Sequence, residues 1–136
     1  MKKKLEKGQT SILTVLVTIS IFLVIGLVVD GGAKLTAASE ASGIAQQAGR
    51  TGAQSLAGLN ESTPRIDPAS AAAKARKYIQ ATGKTGSAKV TSPNTIQVSV
   101  TASKPTIFLS LLGITKVSAT RTISVNLIRG TTEEIR

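Results

Sequence analysis

The sequence contains no cysteine and no histidine. Without them, disulfides, thiolate zinc sites, Cys–His nucleophilic pairs, Ser–His–Asp triads and haem ligation by histidine are excluded. A chain of 136 residues leaves room for one modest domain beside any membrane segment, too little for a large enzyme core. Enzymatic activity is therefore not expected, and neither a cofactor nor a metal ion is implied. The missing cysteines carry no information about compartment, because a disulfide-free domain can exist on either side of a membrane.

Aromatic residues are almost as scarce: Phe22, Tyr78 and Phe108 are the whole set, and Phe22 lies inside an apolar run. Acidic residues are few as well, seven against seventeen basic, for a net charge of +10. Such a balance invites a nucleic-acid reading, since clustered Lys and Arg neutralise phosphates and release counterions. Beyond Lys2, Lys3, Lys4 and Lys7, however, the basic residues are scattered, with only Lys74, Arg76 and Lys77 close together. With no aromatic platform on which bases could stack, nucleic acid is not an expected partner.

What the chain does have is an uncharged apolar run at residues 12–29, diluted only by Thr14, Thr18, Ser20 and Gly26. As a helix it covers about 27 Å, close to the ~30 Å hydrocarbon thickness of a bilayer. A cleaved secretory signal is the rival, but its apolar part usually spans only about 7 to 15 residues and ends at a small-x-small site. Ala37, Ala38 and Ser39 are small, yet they lie well past the apolar end. The flanks set an orientation: Lys2, Lys3, Lys4 and Lys7 precede the run, whereas Asp30 closes it and only Lys34 follows nearby. By the positive-inside rule, residues 1–11 are a cytoplasmic basic segment, residues 12–29 the span, and everything later lies outside.

Residues 30–59 read as a continuation of the helix, with no proline between residues 33 and 59. Small or apolar side chains at Leu35, Ala38, Ser42, Ala45, Gly49, Gly52, Leu56 and Leu59 alternate three and four apart as a helical seam. Overlapping it, Ala37, Ala41, Ala45, Gly49, Ala53 and Ala57 recur every four residues as a ridge that favours close helix approach. The helix-packing set expected from both patterns is Leu35, Ala38, Ala41, Ala45, Gly49, Gly52, Ala53, Leu56 and Leu59. An alanine-rich helix packing only on its own domain is the plainer alternative. Gly43, Gly49, Gly52 and Gly58 each cost about 0.5 to 1 kcal/mol relative to alanine, so the rod needs packing partners of some kind.

Residues 60–68 read as a turn or linker. Asp67 and Pro68 then form an N-cap and first helical position, and residues 69–82 a short helix closed by Gly83. Ala72, Ala75, Ile79 and Tyr78 form its inward face; Lys74, Arg76 and Lys77 its solvated side. The pattern then changes to period two. Ala88 and Val90, a turn at Ser92, Pro93 and Asn94, and Ile96, Val98 and Val100 give a hairpin. A third strand fits residues 117–128, where Val117, Ala119, Ile123, Val125 and Leu127 share a face. Between them residues 106–114, TIFLSLLGI, are apolar all round and suggest a buried crossover turn ending at Gly113. The expected fold is α+β: a long transmembrane helix continuing into an amphipathic one, then a short helix and a small antiparallel sheet of about three strands. Residues 60–129 form the ectodomain, and residues 130–136 a loose tail.

Motifs of chemistry fail on inspection. Gly83-Lys84-Thr85 matches the end of a phosphate-binding loop, but Tyr78 stands at its first glycine and a helix precedes it. The seven carboxylates, Glu6, Asp30, Glu40, Glu61, Asp67, Glu133 and Glu134, fall in flanks, caps, linker and tail. Asn60-Glu61-Ser62 fits a glycosylation acceptor, relevant only in a host that modifies such sites.

Three stretches in order, Gly8-Gln9 before the apolar run, VDGGAKL at residues 29–35 and AQQAGRTGA at residues 45–53, resemble the TadE/TadG-like proteins of bacterial tight-adherence (Flp) pilus assembly. The FLSLLGI segment at residues 108–114 between period-two strands is also similar to some members. The resemblance implies a minor pilin or pseudopilin of the bacterial plasma membrane that enters or primes an envelope filament. Its partners would be the lipid bilayer, other pilin-like or assembly subunits, and further copies of itself. It also makes Gly8 and Gln9 a candidate processing site. Pilin precursors carry Glu at the fifth mature position; Leu13 stands there, so cleavage is expected to be inefficient or absent. The alternative function is an anchored extracytoplasmic binding module serving a membrane complex.

Overall fold

The computed structural model describes residues 2–57 and 65–126, with side chains described for residues 10–55 and 67–126. Its elements are α1 (Lys2–Ala53), β1 (Leu56–Ala57), β2 (Arg65–Ile66), α2 (Pro68–Ala81), β3 (Thr85–Ser92), β4 (Thr95–Pro105), a 3₁₀ turn (Leu109–Leu112) and β5 (Lys116–Asn126). The architecture is the expected α+β one, with a long apolar helix, a short helix and a three-stranded antiparallel sheet.

The sheet has the order β3-β4-β5, and its period-two composition sets its two faces. On the central strand Ile96, Val98, Val100 and Ala102 are buried, and register brings Ala88 and Ile123 opposite Val98, and Ala119 opposite Ala102. The other face is lined by hydroxyls, which bond across the strands: Thr101 to Thr120 at 2.7 Å and Ser103 to Ser118 at 2.9 Å. One face on a core and one in water is the usual antiparallel solution. The β3–β4 hairpin turns at Pro93 and Asn94, as expected.

Both helices cover the apolar face, α1 across β4 and β5 and α2 across β3. Asp67 takes the N-cap position of α2 with extended backbone and Pro68 follows, though the Asp67 side chain makes no capping bond. Gly83, at φ 71°, closes the helix in the left-handed region where L side chains are strained. Its buried residues are Ala71, Ala75 and Ile79, so the inward face is turned by one residue from the expected Ala72. Tyr78 packs beside the core half-buried, and Lys74, Arg76 and Lys77 are exposed.

The helical continuation is shorter than expected. α1 ends at Ala53, and Ser55 N–H donates to Gly52 O in a tightened final turn. Leu56 is therefore on a short strand paired with β2, not on the helix, and Leu59 lies outside the described residues. The physical reason is that the chain must reverse here to lay α2 on Gly52, where a Cβ would meet Ala71 O at 2.9 Å. Asp67 N–H donates to Ser55 O and fixes the return.

Candidate functional site

From Thr10 to Gly32, α1 is a bare, largely apolar stem except at Gly26 and Asp30; beyond Ala37 one side of it is covered by the sheet. Among the described residues it contains the one helix long and apolar enough to cross a membrane. Its internal hydroxyls do not disturb that character. Thr14, Thr18 and Ser20 donate to the carbonyls of Thr10, Thr14 and Leu16 at 2.8 to 2.9 Å, so no unsatisfied side-chain donor faces outward.

The expected helix-packing residues divide. Ala37, Ala41, Ala45 and Ala48 are fully buried, Ala38 and Ala53 nearly so, and Gly49 and Gly52 are buried. What they pack on is this chain's own head: a Cβ on Gly49 would fall 2.6 Å from Val125 Cγ2, and one on Gly52 2.6 Å from Ile96 Cδ1. The every-four ridge is thus consumed within the chain. Leu35, by contrast, is 71% exposed. It borders open grooves of about 400 Å³ between α1 and the β5 edge, lined also by Gly31, Lys34, Ala38, Ala119 and Arg121. Lys2, Lys3, Lys4, Lys7, Gly8 and Gln9 are helical, and their side chains lie outside the described set.

The stem meets the head at Asp30. Its side chain is buried, and its carboxylate accepts from the backbone N–H of Ile107 at 2.8 Å and of Leu109 at 2.6 Å. An anion receiving two backbone donors makes strong, charge-assisted bonds, and here they tie the β4–β5 loop to α1. One turn below, a Cβ on Gly26 would lie 2.9 Å from Phe108 Cβ, so only glycine admits the phenylalanine at that distance. The loop is not the buried crossover expected from its composition. Of its residues only Thr106 is buried; no layer of the head reaches past the sheet's end, and Leu111 and Leu112 are 84% and 77% exposed.

Ten residues further along α1, Glu40 pairs with Lys84, in the turn just before β3, Nζ at 3.1 Å, and with Lys104 on β4, Nζ at 2.9 Å. Lys104 first, then Lys84, holds the Glu40 carboxyl below its ordinary value. The importance of Asp30 was half visible in sequence as the charge closing the span; that it binds a loop 77 residues away was not. Among the described residues no group of three or more acidic residues is placed to hold a metal ion.

No protein-family model matches the chain, and neither a curated protein nor a solved structure is significantly similar to it.

Proposed function

We propose that this chain is a membrane-anchored structural or assembly subunit, minor-pilin- or pseudopilin-like, of a bacterial tight-adherence type pilus or related envelope filament. It sits in the plasma membrane with residues 1–11 in the cytoplasm and the head outside. The observation that carries the reading is the continuity of α1: a single helix of 52 residues forms both the bare stem and the spine of the head. A head mounted without a hinge transmits the position of its stem, which suits a subunit whose place in an assembly matters. The resemblance at residues 8–53 supports the same reading.

The ridge no longer serves as the intermolecular contact, since it is filled by the head. Assembly contacts then fall to the apolar stem, where Leu16 and Leu23 are exposed. A specific observation also favours the alternative of an anchored binding module: the head closes its own core without a partner helix. Cross-linking separates the two. The chain has no cysteine, so Leu16→Cys and Leu23→Cys introduce unique thiols. In native membranes an assembly subunit should give cross-linked multimers or adducts with another small membrane subunit through these positions. Monomer alone at both positions would favour the anchored module.

A further inference from the structure

The apolar loop after β4 hangs beside the stem, not beside the rest of the head. Ile107, Leu111 and Leu112 are 66%, 84% and 77% exposed, a concentration of large apolar side chains that water disfavours. Two contacts set its height along α1. Phe108 rests on Gly26, inside the apolar run, and Asp30 holds the amides of Ile107 and Leu109 at the end of that run. Gly26 lies about 6 Å below Asp30 along the helix axis at ~1.5 Å per residue. When the stem spans a bilayer, the loop is thereby carried to the outer boundary between headgroups and acyl chains, the zone about 5 to 10 Å deep where apolar faces insert.

The loop's polar atoms are arranged for such a place. Besides the two amides held by Asp30, Leu111 N–H donates to Phe108 O, Gly113 N–H to Ser110 O and Ile114 N–H to Leu109 O. Thr106 Oγ1 donates to Ile114 O, and Ser110 Oγ to Ile107 O. Backbone groups that leave water must find partners within the protein, and most of these have. We propose that the loop of residues 106–115 is a second membrane contact, lodging Ile107, Leu111 and Leu112 in the outer lipid interface beside the exit of α1. Its consequence is orientational. A span alone leaves the helix free to tilt in any direction relative to the bilayer, whereas a second insertion point on one side of the stem sets the depth of the head and favours the tilt that keeps the loop side against the lipid.

The inference rests on the membrane-spanning reading of α1, and the test separates the two. The full chain carrying single cysteines at Leu111, Leu112, Leu16 or Ser92 is labelled with a polarity-sensitive fluorophore. It is then reconstituted in phosphatidylethanolamine–phosphatidylglycerol vesicles and quenched by doxyl-lipids or aqueous iodide. The labels on Leu111→Cys and Leu112→Cys should be blue-shifted, shielded from iodide and quenched most by doxyl placed near the headgroup. Leu16→Cys should respond to doxyl deep in the chains, and Ser92→Cys, at the far hairpin, to iodide alone. Iodide quenching of the loop labels as strong as at Ser92, with Leu16 still lipid-quenched, would overturn the inference and leave the span standing. So would loop labels shielded from both quenchers, which would mean a protein cover. Loss of lipid quenching at Leu16 would remove both.

Discussion

Two carboxylates on α1 do different work. Asp30 accepts from two backbone N–H groups and secures a loop; Glu40, half-buried, lies between Lys84 and Lys104, tying the start of β3 and the end of β4 to the helix. Exposed ion pairs contribute little each, and the effect here is a pH dependence more than a large stability. The Glu40 carboxyl titrates below its ordinary value of 4.5 in the folded protein, so its contribution is complete above that pH and fades as the pH falls through the lowered value. Wild type should unfold at a slightly higher temperature than Glu40→Gln near neutrality, with the gap closing in acid below pH 4.5. A gap that stays constant across that range would assign the difference to packing, not to the carboxylate charge. Neither role was legible beforehand. Sequence shows that Asp30 ends an apolar run, but a partner amide is a backbone group, and backbone groups leave no mark on sequence.

Within α1, small residues serve two purposes that their spacing alone does not distinguish. The period of four at Ala37, Ala41, Ala45 and Gly49 did announce a close-packed face, and that face is in the structure. What it packs on was beyond reach, because a ridge of alanines fits a neighbouring helix and a strand of valines equally well. Glycines on the same helix can be told apart by what surrounds them. Gly43 has nothing within 4 Å of where a Cβ would go, so Gly43→Ala should stabilise the head by about 0.5 to 1 kcal/mol through helix propensity. Gly52 faces Ile96 and the carbonyl of Ala71, and Gly52→Ala should cost about 1 to 3 kcal/mol by overpacking. Urea titration in micelles, followed by the fluorescence of Tyr78 beside the core, reads both. Equal effects at the two sites would contradict the packing described. The sheet was the most legible element, since alternation fixes its faces; the loop at residues 106–115 was the least, because an apolar run reads alike whether protein or lipid covers it.

For the molecule as a whole, the strands march back along the helix: Ile96 sits at Gly52, Lys104 at Glu40 and Phe108 at Gly26. That antiparallel run returns the most apolar part of the head to the end of the stem, and puts the β3–β4 hairpin at the opposite pole. The central proposal, a head outside the membrane on a stem that crosses it, is supported by that polarity together with Lys2, Lys3, Lys4 and Lys7 at the other end. The most direct measurement is thiol accessibility in intact cells with a membrane-impermeant maleimide, using Ser92→Cys at the hairpin and Lys3→Cys before the stem. The account predicts that Ser92→Cys is labelled on intact cells or spheroplasts, that Lys3→Cys is labelled only after permeabilisation, and that both stay with the membrane fraction. Labelling of Lys3→Cys on sealed cells while Ser92→Cys is protected, or recovery of the Ser92→Cys head in the soluble fraction, would contradict it.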